Sequence, residues 1–392
     1  MSGNGKVLNH TYSALGTTVF TVMSTLAVEH DAINLGQGFP DVDGPLAIRE
    51  EAARRVVEGP NQYPPMTGIP ELRRAVADHD RRFYGLDYDW NTEVVVTSGA
   101  TEALSDCAMA LLNPGDEAII LEPFYDCYLP QITQTGAIAR AVSLMPPDWS
   151  LPVETLEAAF SERTKLIVIN SPMNPASKVF SKDELQVIAD LLVKYDAYAV
   201  CDEVYEHLTF DGRRHLSLAS LPGMRERCLR IGSAGKTFSL TGWKVGYISG
   251  PEALTSVVAK AHQFVTFTTP PALQYAVALG LSQGDDYYQT LARDLEERRD
   301  FLKATLEGIG LPVLPCEGTY FMTADISRFG FNGSDYDFCK HITVNAKVAA
   351  VPTSVFYHPD TADVPNTLVR FCFCKRQDVL EEAARRLNAY FG

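Results

Sequence analysis

Lys236 lies in Ser233-Ala234-Gly235-Lys236-Thr237-Phe238-Ser239, a run of small and hydroxylated residues with no other charge. A lysine there is either an ordinary surface cation or a partly desolvated amine. The second kind loses its proton more easily and can form a Schiff base. Asp202 closes the apolar run Ala197–Cys201. A carboxylate at the end of a buried strand needs a partner to stay ionised. That partner is a helix start or an ion pair within the protein, or a cationic ring nitrogen that the carboxylate keeps protonated. Arg370 is the only charge from Thr367 to Cys374. An unpaired guanidinium on an apolar strand is costly, so it meets a carboxylate of the protein or of a ligand. Its planar fork suits a bidentate α-carboxylate. Ser98-Gly99-Ala100-Thr101 puts small residues at a helix start. Free N–H groups there hold phosphate, although a plain helix cap has the same pattern.

Lys236, Asp202 and Ser98–Thr101 each follow a run that reads as a strand, whereas Arg370 lies within one. Glu93–Thr97, Glu117–Leu121, Ala137–Leu144, Lys165–Asn170, Ala197–Cys201, Cys228–Gly232 and Val245–Ser249 are short, apolar and largely β-branched. Between them lie helical patterns, Glu102–Leu112 and Ser181–Tyr195 among them, the latter with Ser181 and Glu184 spaced as a capping box. Strands alternating with helices predict an α/β fold with a mostly parallel sheet covered on both faces. Ligands of such sheets bind beyond the carboxyl ends of the strands. That rule adds Glu122-Pro123-Phe124-Tyr125, Asn174-Pro175 and Tyr205 to the candidates.

The pattern changes near residue 285. A long charged helix, Asp285–Gly308, precedes short strands at Tyr320–Ala324, Val348–Val351 and Leu368–Cys374 and a final helix from Asp378. The expected organisation is an N-terminal arm with part of a small domain (1–50), a large domain (51–285) and a small α+β domain (286–392). The arm is expected to pack on the small domain or on a neighbouring subunit.

The chain has 392 residues and a net charge of −15, with 34 Lys and Arg against 49 Asp and Glu. Such a surface is a poor nucleic-acid or anionic-membrane binder, because phosphate neutralisation needs clustered cations. Met1–His10 is polar and reads as no secretory signal, and no apolar stretch approaches the roughly 20 residues of a membrane helix. Eight cysteines form no CxxC pair and the histidines no HxxxH pair. Reduced thiols in a cytoplasmic protein without a metal site are therefore expected. No GxSxG run is present, which disfavours a hydrolase built on a nucleophile elbow.

Taken together, the segment Ser233–Tyr247 (SAGKTFSLTGWKVGY) resembles the Schiff-base segment of the class I, fold-type I pyridoxal-phosphate aminotransferases. The similarity runs from Ile33 to the C-terminus, with the motifs in the family's order. Asn34–Asp41 (NLGQGFPD), Asn61-Gln62-Tyr63 and Glu122–Tyr128 (EPFYDCY) are similar to the branch holding kynurenine, glutamine and methionine aminotransferases and cysteine-conjugate β-lyases. The resemblance implies pyridoxal 5′-phosphate as cofactor and a role for each matching residue. Lys236 would form the Schiff base. Asp202 would pair with the pyridine nitrogen, Tyr205 and Asn174 would bond the ring hydroxyl, and Tyr125 would stack on the ring. Gly99, Ala100, Thr101, Ser233 and Lys244 would hold the phosphate, with Tyr63 arriving from the other subunit of a homodimer. Arg370, Asn174 and Gly38 would bind the substrate carboxylate, and Phe20 would lie near its side chain. Two departures stand out: Asn174-Pro175-Ala176-Ser177 replaces an Asn-Pro-Thr-Gly run, and Lys244 replaces the usual arginine, giving a point charge instead of a fork.

The implied reaction moves an amino group from an L-α-amino acid, neutral, aromatic or sulfur-containing, to a 2-oxo acid by ping-pong kinetics. Lys236, once displaced, would serve as the general base. β-Elimination from a cysteine conjugate would use the same residues. A ligand-sensing protein on this scaffold would carry an added DNA-binding domain, for which the chain before Ile33 has no room.

Overall fold

Alternate residues along the central strands are apolar on both faces, so the sheet they form needs cover on both sides. The structure, a computed structural model, describes Lys6 and residues 8–392. The rest of the polar start, residues 1–5 and 7, lies outside the described residues. The first strands in chain order are β1 (Ile33–Asn34), β2 (Val94–Thr97), β3 (Glu117–Glu122), β4 (Ile138–Ser143), β5 (Thr164–Asn170), β6 (Tyr198–Asp202), β7 (Cys228–Ser233) and β8 (Gly246–Ser249). All but β1 join one seven-stranded sheet in the order β2-β8-β7-β6-β5-β3-β4. On one face Ile120, Val168, Val200 and Ile231 enter one core; on the other Leu121, Ile167, Ile169 and Cys201 enter a second. The capping box forms as the sequence predicts: Ser181 accepts from the N–H of Glu184, whose carboxylate accepts from the N–H of Ser181.

The sheet is parallel except at β8, which runs antiparallel to both β2 and β7. The chain reverses between β7 and β8, and Ser233 pairs with Gly246. Elsewhere the parallel register aligns Asn170 with Asp202 and Asp202 with Ile231. The carboxyl ends of β5, β6 and β7 thus form one rim.

The later strands are β9 (Phe321–Asp325), β10 (Val348–Ala349), β11 (Val351–Pro352) and β12 (Leu368–Cys372). β11, β12 and β9 form an antiparallel sheet, and β10 pairs in parallel with β1. The run Val348–Val351 reads as one strand in the sequence but divides at Ala350. Its first half pairs with the arm and its second half with β12, two partners that no single straight strand could serve. The arm's helix Val19–Glu29 lies against the helix Asp335–Asn345. Among the described residues, no helix is long and apolar enough to cross a membrane.

Candidate active site

Residues 234–245 link β7 to β8, and their ends are pinned by the N–H of Ala234 donating to Val245 O (3.1 Å). Inside this closed loop Lys236 sits on the one-turn helix Ala234–Thr237 rather than in an open turn. Its Nζ donates to Tyr320 Oη (2.8 Å), which in turn donates to Gly38 O (2.7 Å). The rings of Tyr205 and Tyr320 flank the amine at 5.6 and 5.5 Å. Burial lowers its pKa to about 8, with Arg370 and Lys244 acting in the same direction against Cys374 and Asp202. An amine so placed has a substantial neutral, nucleophilic fraction near neutral pH.

Asp202 ends β6. Its Oδ2 accepts from Tyr128 Oη (2.6 Å), while its buried Oδ1 has no hydrogen-bond partner. Burial pushes this carboxyl up to about 6, although Tyr128, the N–H of Val204 and Lys236 each favour the ionised form. A cationic N–H beside Oδ1 would supply the missing donor.

Arg370 lies in the middle of β12 and is 1% exposed. Its Nη1 donates to Asn174 Oδ1 (2.7 Å) and its Nη2 to Gly36 O (2.9 Å), while Nε has no partner. The rings of Phe321, Phe356 and Phe20 surround it at 4.0, 5.1 and 5.3 Å. Among the described residues, no carboxylate forms an ion pair with it. Two neutral acceptors hold the fork in place and leave its charge for a ligand.

Gly99 precedes the helix Ala100–Leu111 with φ of 85°, and no side chain caps that helix. A side chain at Gly99 would meet Lys244 Nζ at 3.1 Å, so the ammonium stands over the uncapped turn. Lys244 itself is in the left-handed region, φ 53°. Helix start and ammonium together make an anion site.

These groups converge on one cavity of about 320 Å³. Of the residues singled out in the sequence, Phe20, Gly38, Gly99, Ala100, Thr101, Tyr125, Asn174, Asp202, Tyr205, Ser233, Lys236, Lys244 and Arg370 line it. Tyr63 does not. Its ring is 82% exposed and meets Phe267 edge-on at 5.3 Å. Two residues were not foreseen, Tyr128 beside Asp202 and Tyr320 beside Lys236. Tyr128 stands in the quoted run EPFYDCY, and Tyr320 begins a recognised strand, but nothing local announces either hydrogen bond.

The Asn174–Ser177 departure has a structural resolution. Ser177 takes the left-handed φ of 58°, a conformation that favours glycine. Its buried Oγ donates to Phe321 O (2.6 Å), tying the turn to β9. Ser177→Ala keeps the unfavourable φ and removes the bond. It is expected to destabilise the chain by about 1–3 kcal/mol in urea unfolding. Ser177→Gly loses the same bond but relieves the backbone, so its midpoint should fall nearer wild type.

The family model described as aminotransferase class I and II matches residues 30–387. The chain is 45% identical over 380 residues to a probable N-succinyldiaminopimelate aminotransferase of Mycobacterium tuberculosis, covering 95% of this chain and 96% of that one. It is 38% identical over 403 residues to human kynurenine–oxoglutarate transaminase 3, covering 96% and 88%. The crystal structure of a methionine aminotransferase from Escherichia coli superposes with a TM-score of 0.94 at 39% identity, covering 98% of this chain and 100% of that one.

Proposed function

The chain belongs to the class I and II aminotransferases, and from that membership we propose that its amino donor is a neutral, aromatic or sulfur-containing L-α-amino acid. Pyridoxal-phosphate-dependent transamination is the family's chemistry and this chain's activity. The observation that carries the substrate reading is the inventory of charge around the cavity. Among the described residues, its only cations are Lys236, Lys244 and Arg370. Two stand where the cofactor is bound and one where an α-carboxylate would sit, so none is left for an acidic side chain. The Mycobacterium tuberculosis relative is named for a donor with further carboxylates, and the Escherichia coli and human ones for methionine and kynurenine. The test is a panel of single half-reactions followed through the visible band of the cofactor. Methionine, phenylalanine and kynurenine should bleach it and a 2-oxo acid restore it. Faster bleaching by glutamate or N-succinyldiaminopimelate would overturn the reading.

The cavity fits the cofactor on three counts: the unpartnered Asp202 Oδ1, the uncapped helix start under Lys244, and a side chain at Gly99 that would intrude there. Pyridoxal phosphate, when bound, supplies the electron sink for the carbanion at the substrate Cα. In this reading Lys236 would anchor the cofactor and, once free, its amine would take the proton from the substrate Cα and deliver it to the cofactor carbon that the lysine had held. Asp202 keeps the ring nitrogen protonated. Asn174 and Tyr205 bind the ring oxygen, and Tyr125 covers one face. Gly99, Ala100, Thr101, Ser233 and Lys244 hold the phosphate. Arg370, Asn174 and Gly38 orient the carboxylate, and Phe20 borders the side chain. Arg370→Lys removes the fork but keeps the charge. It is expected to lower kcat/KM by about 100-fold, mainly through KM, with the visible band unchanged.

A homodimer with Tyr63 reaching the partner's phosphate site completes the proposal. Exposed apolar side chains at Val57 (84%), Tyr63 (82%) and Phe264 (85%) support it. A fully active monomer by light scattering would remove it. We assign 1–50 to the arm and part of the small domain, 51–285 to the large domain and 286–392 to the small one. Eight free cysteines favour the cytoplasm.

A further inference from the structure

Behind the rim of the sheet, away from the cavity, Arg230 of β7 lies among three buried carboxylates. It bonds Glu203 Oε2 (2.7 Å), Glu206 Oε2 (2.9 Å) and Asp80. Three carboxylates face one guanidinium, with His215 Nε2 3.2 Å from Glu203 Oε2 at the edge of the cluster. Buried carboxylates in such a cluster need cationic partners. Beside it, His79 Nε2 faces His207 Nε2 at 2.8 Å. Glu206 Oε1, Asp80 Oδ2 and His79 Nδ1 are buried without a hydrogen-bond partner. The side chains of His79 and Glu206 are 0% and 1% exposed.

We propose that His79, Glu206 and His207 bind a divalent cation of the zinc class. One donor atom from each lies within 4.8 Å of the others. Ligands at about 2.1 Å around a tetrahedral ion stand roughly 3.4 Å apart, so small side-chain rotations close the set. Two imidazoles and a carboxylate suit zinc, cobalt or nickel and leave a fourth position for water. Asp80 Oδ1, which accepts from Arg230, stands 3.8 Å from His79 Nδ1, beyond hydrogen-bond reach. The other acidic-histidine group, Glu102, Asp106 and His262, is closed by comparison. Both nitrogens of His262 are engaged there, with Glu102 Oε1 at 2.7 Å and Met66 O at 3.0 Å.

The ion would add positive charge beside a cluster of three buried carboxylates. It would also clamp the helix carrying His79 to the segment that begins at Asp202 and includes Tyr205. The sequence gives no hint of it, because one ligand stands at 79 and the others at 206 and 207.

The test uses the holoenzyme, stripped with a chelator and then dialysed against zinc or cobalt. Wild type should retain one zinc per chain and, with cobalt, show visible d–d absorption of a nitrogen- and oxygen-ligated ion. The zinc-loaded chain should melt several degrees higher than the stripped one. His207→Gln, at a half-buried position, should lose at least about tenfold in zinc affinity and lose the cobalt spectrum and the melting shift. Its cofactor band and zinc-free melting temperature report whether it folds, and His79→Asn provides an independent removal. Wild type retaining no more zinc than His207→Gln, or either variant keeping the cobalt spectrum, would overturn the site.

Discussion

Lys236→Ala should lower kcat by at least about 10⁴-fold, because in the proposed mechanism one residue supplies both the covalent anchor and the proton transfer. The variant should bind pyridoxal phosphate reversibly through the remaining contacts but lack the visible band of the lysine-linked form. The same lysine gives a pH signature. With a pKa of about 8, its neutral fraction rises as pH passes through that value. The rate of cofactor capture by the stripped chain should therefore climb between pH 7 and 9 and level above. A flat profile over that range would mean that the amine is not the group being captured. Lys236→Arg serves as a control, because its permanent charge retains the Tyr320 contact without a nucleophile.

Asp202→Asn should move activity and stability in opposite directions. Asparagine cannot hold a pyridine nitrogen protonated, and removing that electrostatic support should lower kcat by about 10³-fold. In the cofactor-free chain the effect is reversed. The folded-state carboxyl, at about 6, lies above its ordinary 3.8. A group raised in this way binds its proton more tightly when folded. Wild-type stability therefore falls as pH rises from about 4 to 6, and the cost persists at neutral pH. Removing the charge should stabilise the stripped chain by about 3 kcal/mol at pH 7, with little effect at pH 4. Melting curves of both proteins across that range test the sign directly. With cofactor bound, the wild-type deficit should close, because the ring N–H occupies the orphan oxygen.

Much of this site could be read from local sequence because the chemistry sits where strands end. Apolar runs such as KLIVIN locate β5, and whatever follows them lies on the binding rim. Asp202, Asn174 and Lys236 were found in this way. Arg370 was found by the opposite signal, a charge where the pattern demands none. What escaped depends on distant pairings. Tyr128 and Tyr320 are ordinary core aromatics until Asp202 and Lys236 arrive from elsewhere in the chain. The reversal of β8 leaves no mark in its own residues, since an apolar strand buried on both faces reads alike in either direction. The division at Ala350 likewise reflects which strands lie alongside, not what the four residues are. Tyr63 escaped placement for a different reason: nothing within one chain brings it to the cavity.

The loop pinned between β7 and β8 contains both Lys236 and Lys244, and β6 next to it contributes Asp202. On the proposed roles, reactive amine, phosphate cation and ring counter-charge are set by one closed stretch and its neighbouring strand. Of the groups proposed to meet the substrate, Phe20 and Gly38 come from the arm, Asn174 from the turn after β5 and Arg370 from the last third. Reaction and selectivity can therefore drift separately over evolutionary time. A lineage can trade one donor for another by altering the arm while inheriting the reacting loop unchanged. Swapping residues 17–22 between this chain and a relative that prefers a different donor should transfer part of the preference without disturbing the cofactor.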